Sequence, residues 1–278
     1  KSLRRSGLHR TSEEIPRRSV KGAAALRAEL VFTRRGRRPA LNRPMNLSPR
    51  AAGLVLFLSA FGSSIAAEWP EFRGPGGQGI SAATDLPLNW SRTENVLWRQ
   101  PVPGLGWSSP VVGGGRIFLT TGAADGDGAP SLRVLALDLA TGRITWDVEV
   151  FAPSEAGRAS MHKKNSPASP TPVLHEERLY VHFGHFGTAC LDREGRIIWR
   201  NNRFRYEPEH GNGASPIVAG GLLVFSADAR TEPALVALDR RTGELAWRVA
   251  REIEVRQKFS FATPLLAEIG GRPQIISP

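Results

Sequence analysis

Leu135-Ala136-Leu137-Asp138-Leu139-Ala140-Thr141-Gly142-Arg143-Ile144-Thr145-Trp146 matches, position for position, Val236-Ala237-Leu238-Asp239-Arg240-Arg241-Thr242-Gly243-Glu244-Leu245-Ala246-Trp247. A copy one residue shorter runs Ala189-Cys190-Leu191-Asp192-Arg193-Glu194-Gly195-Arg196-Ile197-Ile198-Trp199. With Trp98 on the N-terminal side, the tryptophans that end these units follow one another at steps of 48, 53 and 48. A second element recurs upstream of each: Ser109-Pro110-Val111-Val112, Thr171-Pro172-Val173-Leu174, Ser215-Pro216-Ile217-Val218 and Thr263-Pro264-Leu265-Leu266. Self-similarity with a period of about fifty residues is the mark of a repeat architecture, in which one supersecondary unit buries its faces only against its neighbours.

The letters of one unit predict four short antiparallel strands. After Ser/Thr-Pro come apolar residues, a glycine turn such as Gly113-Gly114-Gly115, and a β-rich run such as Arg116-Ile117-Phe118-Leu119-Thr120. The run ending in Leu-Asp follows, then the Thr-Gly turn. The last strand, Ile144-Thr145-Trp146-Asp147-Val148-Glu149-Val150, alternates apolar and polar residues, so one face is covered. Four strands in about fifty residues are the dimensions of a propeller blade. Asp138, Asp192 and Asp239 are placed to accept turn N–H bonds, and Gly142, Gly195 and Gly243 to adopt φ > 0. Trp98, Trp146, Trp199 and Trp247 are read as covers for the gap between blades. The expected fold is an all-β propeller of four-stranded blades, with about three complete, spanning roughly 107–150, 165–203 and 212–250. Closed rings of this repeat have seven or eight blades, so residues 68–278 are read as the N-terminal part of a ring, with bare sheet edges at both ends.

The formal net charge of +11 suggests a nucleic-acid partner until the charges are located. Residues 1–67 hold 14 of the 37 Lys+Arg and 3 of the 26 Asp+Glu, which accounts for the whole excess. Residues 68–278 are neutral, which argues against DNA or RNA as a partner. No apolar run reaches the length of a membrane-spanning helix, and Cys190 has no disulfide partner. Residues 45–67 combine Arg50, the apolar stretch around Leu54-Val55-Leu56-Phe57-Leu58, and small residues before Glu68, the three parts of a secretory signal peptide cleaved after Ala66 or Ala67. Export to the periplasm or extracellular space is the expectation. Residues 1–44, basic and without apolar period, are read as a leader lacking ordered structure: either translated sequence upstream of Met45 or a basic tail.

The Ala-Leu-Asp-x-x-Thr-Gly-x-x-x-Trp unit resembles the pyrroloquinoline-quinone (PQQ) repeat of quinoprotein dehydrogenases and of the outer-membrane assembly propeller. Glu68-Trp69-Pro70-Glu71-Phe72-Arg73-Gly74-Pro75-Gly76-Gly77-Gln78-Gly79, Gly106-Trp107-Ser108-Ser109-Pro110 and Gly271-Arg272-Pro273-Gln274 are similar, more narrowly, to secreted PQQ-like propeller proteins of planctomycete-type bacteria. In that family the loops entering each inner strand line the mouth of the central channel. By that likeness Trp107, His162, Lys163, Asn165, His185, His210, Asn212 and Lys258 become candidate rim residues, a mixture suited to an anionic or sugar-like ligand.

Catalytic patterns are sparse. His182-x-x-His185, on a straight strand, would point its rings to opposite faces, and Asp125-Gly126-Asp127-Gly128 lacks the twelfth-position Glu of a calcium loop. Neither a Gly-x-Ser-x-Gly elbow nor a phosphate-binding Gly-Lys-Ser/Thr loop occurs. No catalytic or metal residue is assigned. The leading expectation is a non-catalytic, monomeric binding module for protein or carbohydrate. The alternative, implied by the resemblance, is a dehydrogenase oxidising an alcohol or sugar with PQQ and calcium, although the adjacent cysteine pair of such enzymes is missing.

Overall fold

The computed structural model describes residues 28–33, 68–84, 86–125, 129–153, 161–162, 164–230, 232–252 and 260–278. The expected signal segment 45–67, Gly126-Asp127-Gly128, Lys163 and Lys258 lie outside the described residues. Strands β1 (Ala28–Thr33) and β2 (Val96–Val102) form a two-stranded sheet. The first four-stranded blade comprises β3 (Val111–Gly113), β4 (Arg116–Asp125), β5 (Ala129–Asp138) and β6 (Ile144–Phe151). The second comprises β7 (Val173–His175), β8 (Arg178–His182), β9 (Thr188–Asp192) and β10 (Ile197–Asn201). The third comprises β11 (Ile217–Ala219), β12 (Leu222–Ala227), β13 (Ala234–Asp239) and β14 (Leu245–Ala250), and the hairpin β15 (Leu265–Ile269) and β16 (Arg272–Ile276) opens a fourth. Every pairing is antiparallel between sequence neighbours within a blade. Among the described residues the chain forms an incomplete propeller with three complete blades and partial ones on either side, as the repeat predicts.

One expectation on the N-terminal side is corrected: the strand at Trp98 is not a bare edge, because β1 pairs with β2 from Ala28↔Val102 to Thr33↔Val96. Ala28-Glu29-Leu30-Val31-Phe32-Thr33 is rich in strand-favouring residues, and an unpaired edge of β2 offers N–H and C=O groups to such a run.

The core lies between blades. Phe118 turns towards the second blade and packs in one cluster with Leu179, Val181 and Leu191, while its neighbours Ile117 and Leu119 turn the other way, to Val102 and Trp98. Tyr180, buried Cys190 and Trp199 meet Leu223 and Phe225 of the third blade. Middle strands are therefore covered on both faces and read as continuous apolar runs, whereas β6, packed on one side, keeps its alternation.

Three of the repeat tryptophans, Trp98, Trp146 and Trp199, dock on the turn of the following blade. Trp98 Nε1 donates to the Leu139 carbonyl at 3.1 Å, Trp146 Nε1 to Arg193 at 2.9 Å and Trp199 Nε1 to Arg240 at 3.1 Å. The indoles lie over Gly142, Gly195 and Gly243, at φ 73°, 85° and 75°. A Cβ on Gly142 or Gly243 would stand 2.3 or 2.5 Å from the indole, so glycine is required there for space as well as for φ. Asp138 accepts the Thr141 hydroxyl and amide at 2.6 and 2.8 Å, and Asp239 accepts the Thr242 and Arg241 amides at 2.8 and 2.9 Å. These bonds, led by the Thr141 hydroxyl at Asp138 and the Thr242 amide at Asp239, hold both carboxyls below the usual aspartate range.

The Ser/Thr-Pro element explains itself on the channel side. Ser109 N–H donates to Thr171 Oγ1, Thr171 N–H to Ser215 Oγ and Ser215 N–H to Thr263 Oγ1, at 3.0, 2.9 and 3.0 Å. One hydroxyl per blade thus satisfies the amide that starts the inner strand of the blade before it.

Candidate functional site

Three loops meet at the mouth of the channel. His162 and Asn165 lie between β6 and β7, His210 and Asn212 between β10 and β11, and Phe261 between β14 and β15. Asn165 ties the first two loops together: its Nδ2 donates to the His210 and Asn212 carbonyls at 3.0 and 3.2 Å, and its Oδ1 accepts from Ser166 N–H at 2.8 Å and Ser169 Oγ at 2.5 Å. The His162 N–H adds a bond to the His210 carbonyl at 3.2 Å. Gly211, at φ 92°, lets this clasp close, since a Cβ would stand 2.7 Å from the Asn165 amide nitrogen. The imidazoles of His162 and His210 meet edge to face with centroids 5.4 Å apart, and His210 stacks on Phe261 at 6.4 Å. Together with Lys164, Asn165 and Gly213 they line an open cavity of about 420 Å³.

Beneath it runs a half-buried polar layer. Tyr206 OH donates to Asn212 Oδ1 at 2.8 Å, and Asn212 Nδ2 lies 3.1 Å from His185 Nδ1. An amide N–H pointing at Nδ1 makes that nitrogen the acceptor. Burial, with a smaller effect from the Asp228 charge, raises the Tyr206 phenol well above its ordinary value, so it stays a donor. His182, by contrast, is fully buried, its Nδ1 2.8 Å from Thr188 Oγ1, and burial together with His185 depresses it to about 3. Asp228 Oδ2 accepts the amides of Ser260 and Phe261, both at 3.3 Å, which anchors the third loop.

Of the candidate rim residues, His162, Asn165 and His210 line one cavity, while Asn212 and His185 support it from below. Trp107 is exposed and bonds by its backbone to the Ala168 carbonyl, outside that cavity. The straight-strand reading of His182 and His185 is corrected: His182 ends β8, and His185 sits in a 3-10 turn, Gly184–Phe186, which opens at Gly184 with φ 62°. Tyr206, Asp228 and Phe261 were not singled out. A signal for Phe261 was present, because it stands two residues before Thr263-Pro264, the place Trp107 holds before Ser109-Pro110. Tyr206 and Asp228 have no counterpart in the repeat.

Among the described residues no group of three or more His, Cys, Asp or Glu is placed to hold a metal. Cys190 is buried among apolar neighbours that push its thiol up to about 12, which makes it a packing residue rather than a nucleophile.

Blades of this grammar, with a docked tryptophan on each Asp-Thr-Gly turn, define a PQQ-type repeat propeller. The family model described as "Outer membrane protein assembly factor BamB" matches residues 88–201 and 133–272, and the chain belongs to that family. Similar solved structures include a europium-containing methanol dehydrogenase (14% identity, TM-score 0.40), covering 51% of this chain and 24% of that one. BamB from Moraxella catarrhalis aligns at 19% identity and TM-score 0.39, over 60% of this chain and 44% of its own. The quinohemoprotein alcohol dehydrogenase ADHIIG from Pseudomonas putida HK5 aligns at 22% identity and TM-score 0.41, over 54% and 21%. The chain thus spans less than half the length of each of these proteins. Among curated proteins none matches it significantly.

Proposed function

We propose that this chain is a binding module of an exported propeller, without catalysis of its own, whose rim takes a carbohydrate ligand. The observation that carries the reading is the convergence of His162, His210, Lys164, Asn165 and Phe261 from three loops on one open cavity, with the loop backbones locked by Asn165. Imidazole and ammonium groups donate to hydroxyl or carboxylate oxygens, and an aromatic face covers the C–H side of a sugar ring. Among the described residues the lining contains no carboxylate, so an acidic sugar fits better than a basic one. Binding of the full chain to a panel of neutral and acidic oligosaccharides, measured by calorimetry, tests this. Saturable binding that is lost in His162→Ala supports the reading. Dye reduction on adding PQQ and Ca²⁺ with an alcohol or sugar would overturn it in favour of a dehydrogenase.

A further inference from the structure

The innermost strand of a blade has one edge paired within its sheet and one edge turned to the channel. In the first two blades that free edge is taken by the chain itself. Residues 68–79 run along the channel wall as a strap: Trp69 and Val112 exchange both N–H···O bonds at 2.8 Å, and Leu174 N–H donates to the Pro70 carbonyl at 2.7 Å. The strap then leaves the wall in tight turns, closed by Gly74 N–H to Glu71 O, Gly77 N–H to Gly74 O and Gly79 N–H to Arg73 O, with Arg73 itself at φ 65°.

Val112 and Leu174 each follow Ser/Thr-Pro by two residues. The same place is held by Val218 in β11 and Leu266 in β15. Val218 pairs with Leu223 in the register in which Val112 pairs with Ile117, so its N–H and C=O also face the channel. No backbone bond from the described residues reaches either group. Between these two edges and the turned-away strap lies a cavity of about 540 Å³, separate from the rim cavity except for Gly213 and Phe261. Ile217, Leu265 and Phe72 supply an apolar wall, and two charged residues border it: Glu71, whose Oε1 is occupied by the Gly76 N–H at 3.0 Å, and Arg73.

We propose that the channel edges of β11 and β15 dock an extended peptide of a partner protein, joined backbone to backbone, with an acidic side chain or terminal carboxylate on Arg73. The occupant is argued from the strap, which shows on β3 and β7 that these edges accept an extended backbone and that Trp69 can stand beside them. Strand addition supplies affinity through main-chain bonds, and the side-chain wall supplies selectivity. A guanidinium facing a cavity recognises a carboxylate by paired N–H···O bonds.

The test uses the full chain and a set of labelled, acetylated pentapeptides alternating Val, Leu or Trp with Thr and ending in Asp, followed by fluorescence anisotropy. Saturable binding is expected. Val218→Pro removes the channel-facing N–H without taking a bond from the β11–β12 ladder, and should weaken binding about tenfold, as should Arg73→Ala. N-methylating the peptide at its central residue should do the same against the unaltered protein, which separates lost docking from lost folding. His162→Ala, at the rim, should leave peptide affinity unchanged. Absence of saturable binding by any peptide, or equal binding of the N-methylated form, overturns the proposal. So does concentration-dependent self-association abolished by Val218→Pro, which would make a second copy the occupant.

Discussion

The outer edge of the blades and the mouth of the channel follow opposite rules. At the outer edge the same event happens three times: an indole lies on the glycine of the next blade's turn and donates to the carbonyl of Leu139, Arg193 or Arg240. At the mouth, the residues two places before each Ser/Thr-Pro are Trp107, Ser169, Gly213 and Phe261, four different side chains on one scaffold. Where positions repeat, they hold blades together. Where equivalent positions diverge, no need common to every blade fixes the side chain.

This contrast can be broken at its strongest point first. Trp199→Ala removes a buried indole and its hydrogen bond from the interface between the second and third blades, and should cost about 3–5 kcal/mol, read by urea unfolding. Gly184→Ala strikes where the mouth depends on backbone shape: at φ 62°, with a Cβ 1.7 Å from the Asn212 side chain, it should cost about 2–4 kcal/mol and abolish rim binding as well. A glycine-to-alanine change that cost nothing there would show that the layer under the rim is loose.

His182 sharpens the comparison through pH. Its pKa is depressed to about 3 from 6.5, so between those values the unfolded chain binds a proton that the folded chain refuses. Stability should therefore fall as pH drops below 6.5, by up to about 1.4 kcal/mol per pH unit from this group, and level off below 3. His182→Phe should flatten that slope in thermal melts across the window. The turn carboxyls Asp138 and Asp239, held low, contribute stability that is present above the ordinary aspartate value and disappears at more acid pH, as they are protonated. The smallest effect belongs to the mouth: Lys164→Ala, on an exposed side chain, should change stability by no more than about 0.5 kcal/mol while weakening ligand binding.

Legibility follows the same division. The blade was readable because the Leu-Asp, Thr-Gly and Trp positions each satisfy a local or nearest-neighbour need, and such needs recur with every unit. His162, Asn165 and His210 were readable as loop residues before an inner strand, but their meeting was not, since it depends on Asn165 bonding to a carbonyl 45 positions away. Tyr206 was missed because its hydroxyl finds its acceptor, Asn212, on a fold of the loop that no periodicity announces. Pairing of Ala28–Thr33 with β2 was not legible, since a six-residue strand needs no long apolar period when a ready edge is nearby.

By itself the sequence determined the unit: four strands, a carboxylate-capped turn with a glycine at positive φ, and a tryptophan spaced to reach the next copy. These depend on interactions within one repeat or across one interface, so each repeat carries its own instructions. Only the tertiary structure decided that the strap fills the channel edges of β3 and β7 but turns away before β11 and β15. It also decided which of the mouth's many polar side chains share a cavity. Both outcomes depend on where non-repeating segments cross the repeat, and their contacts are long-range and made once.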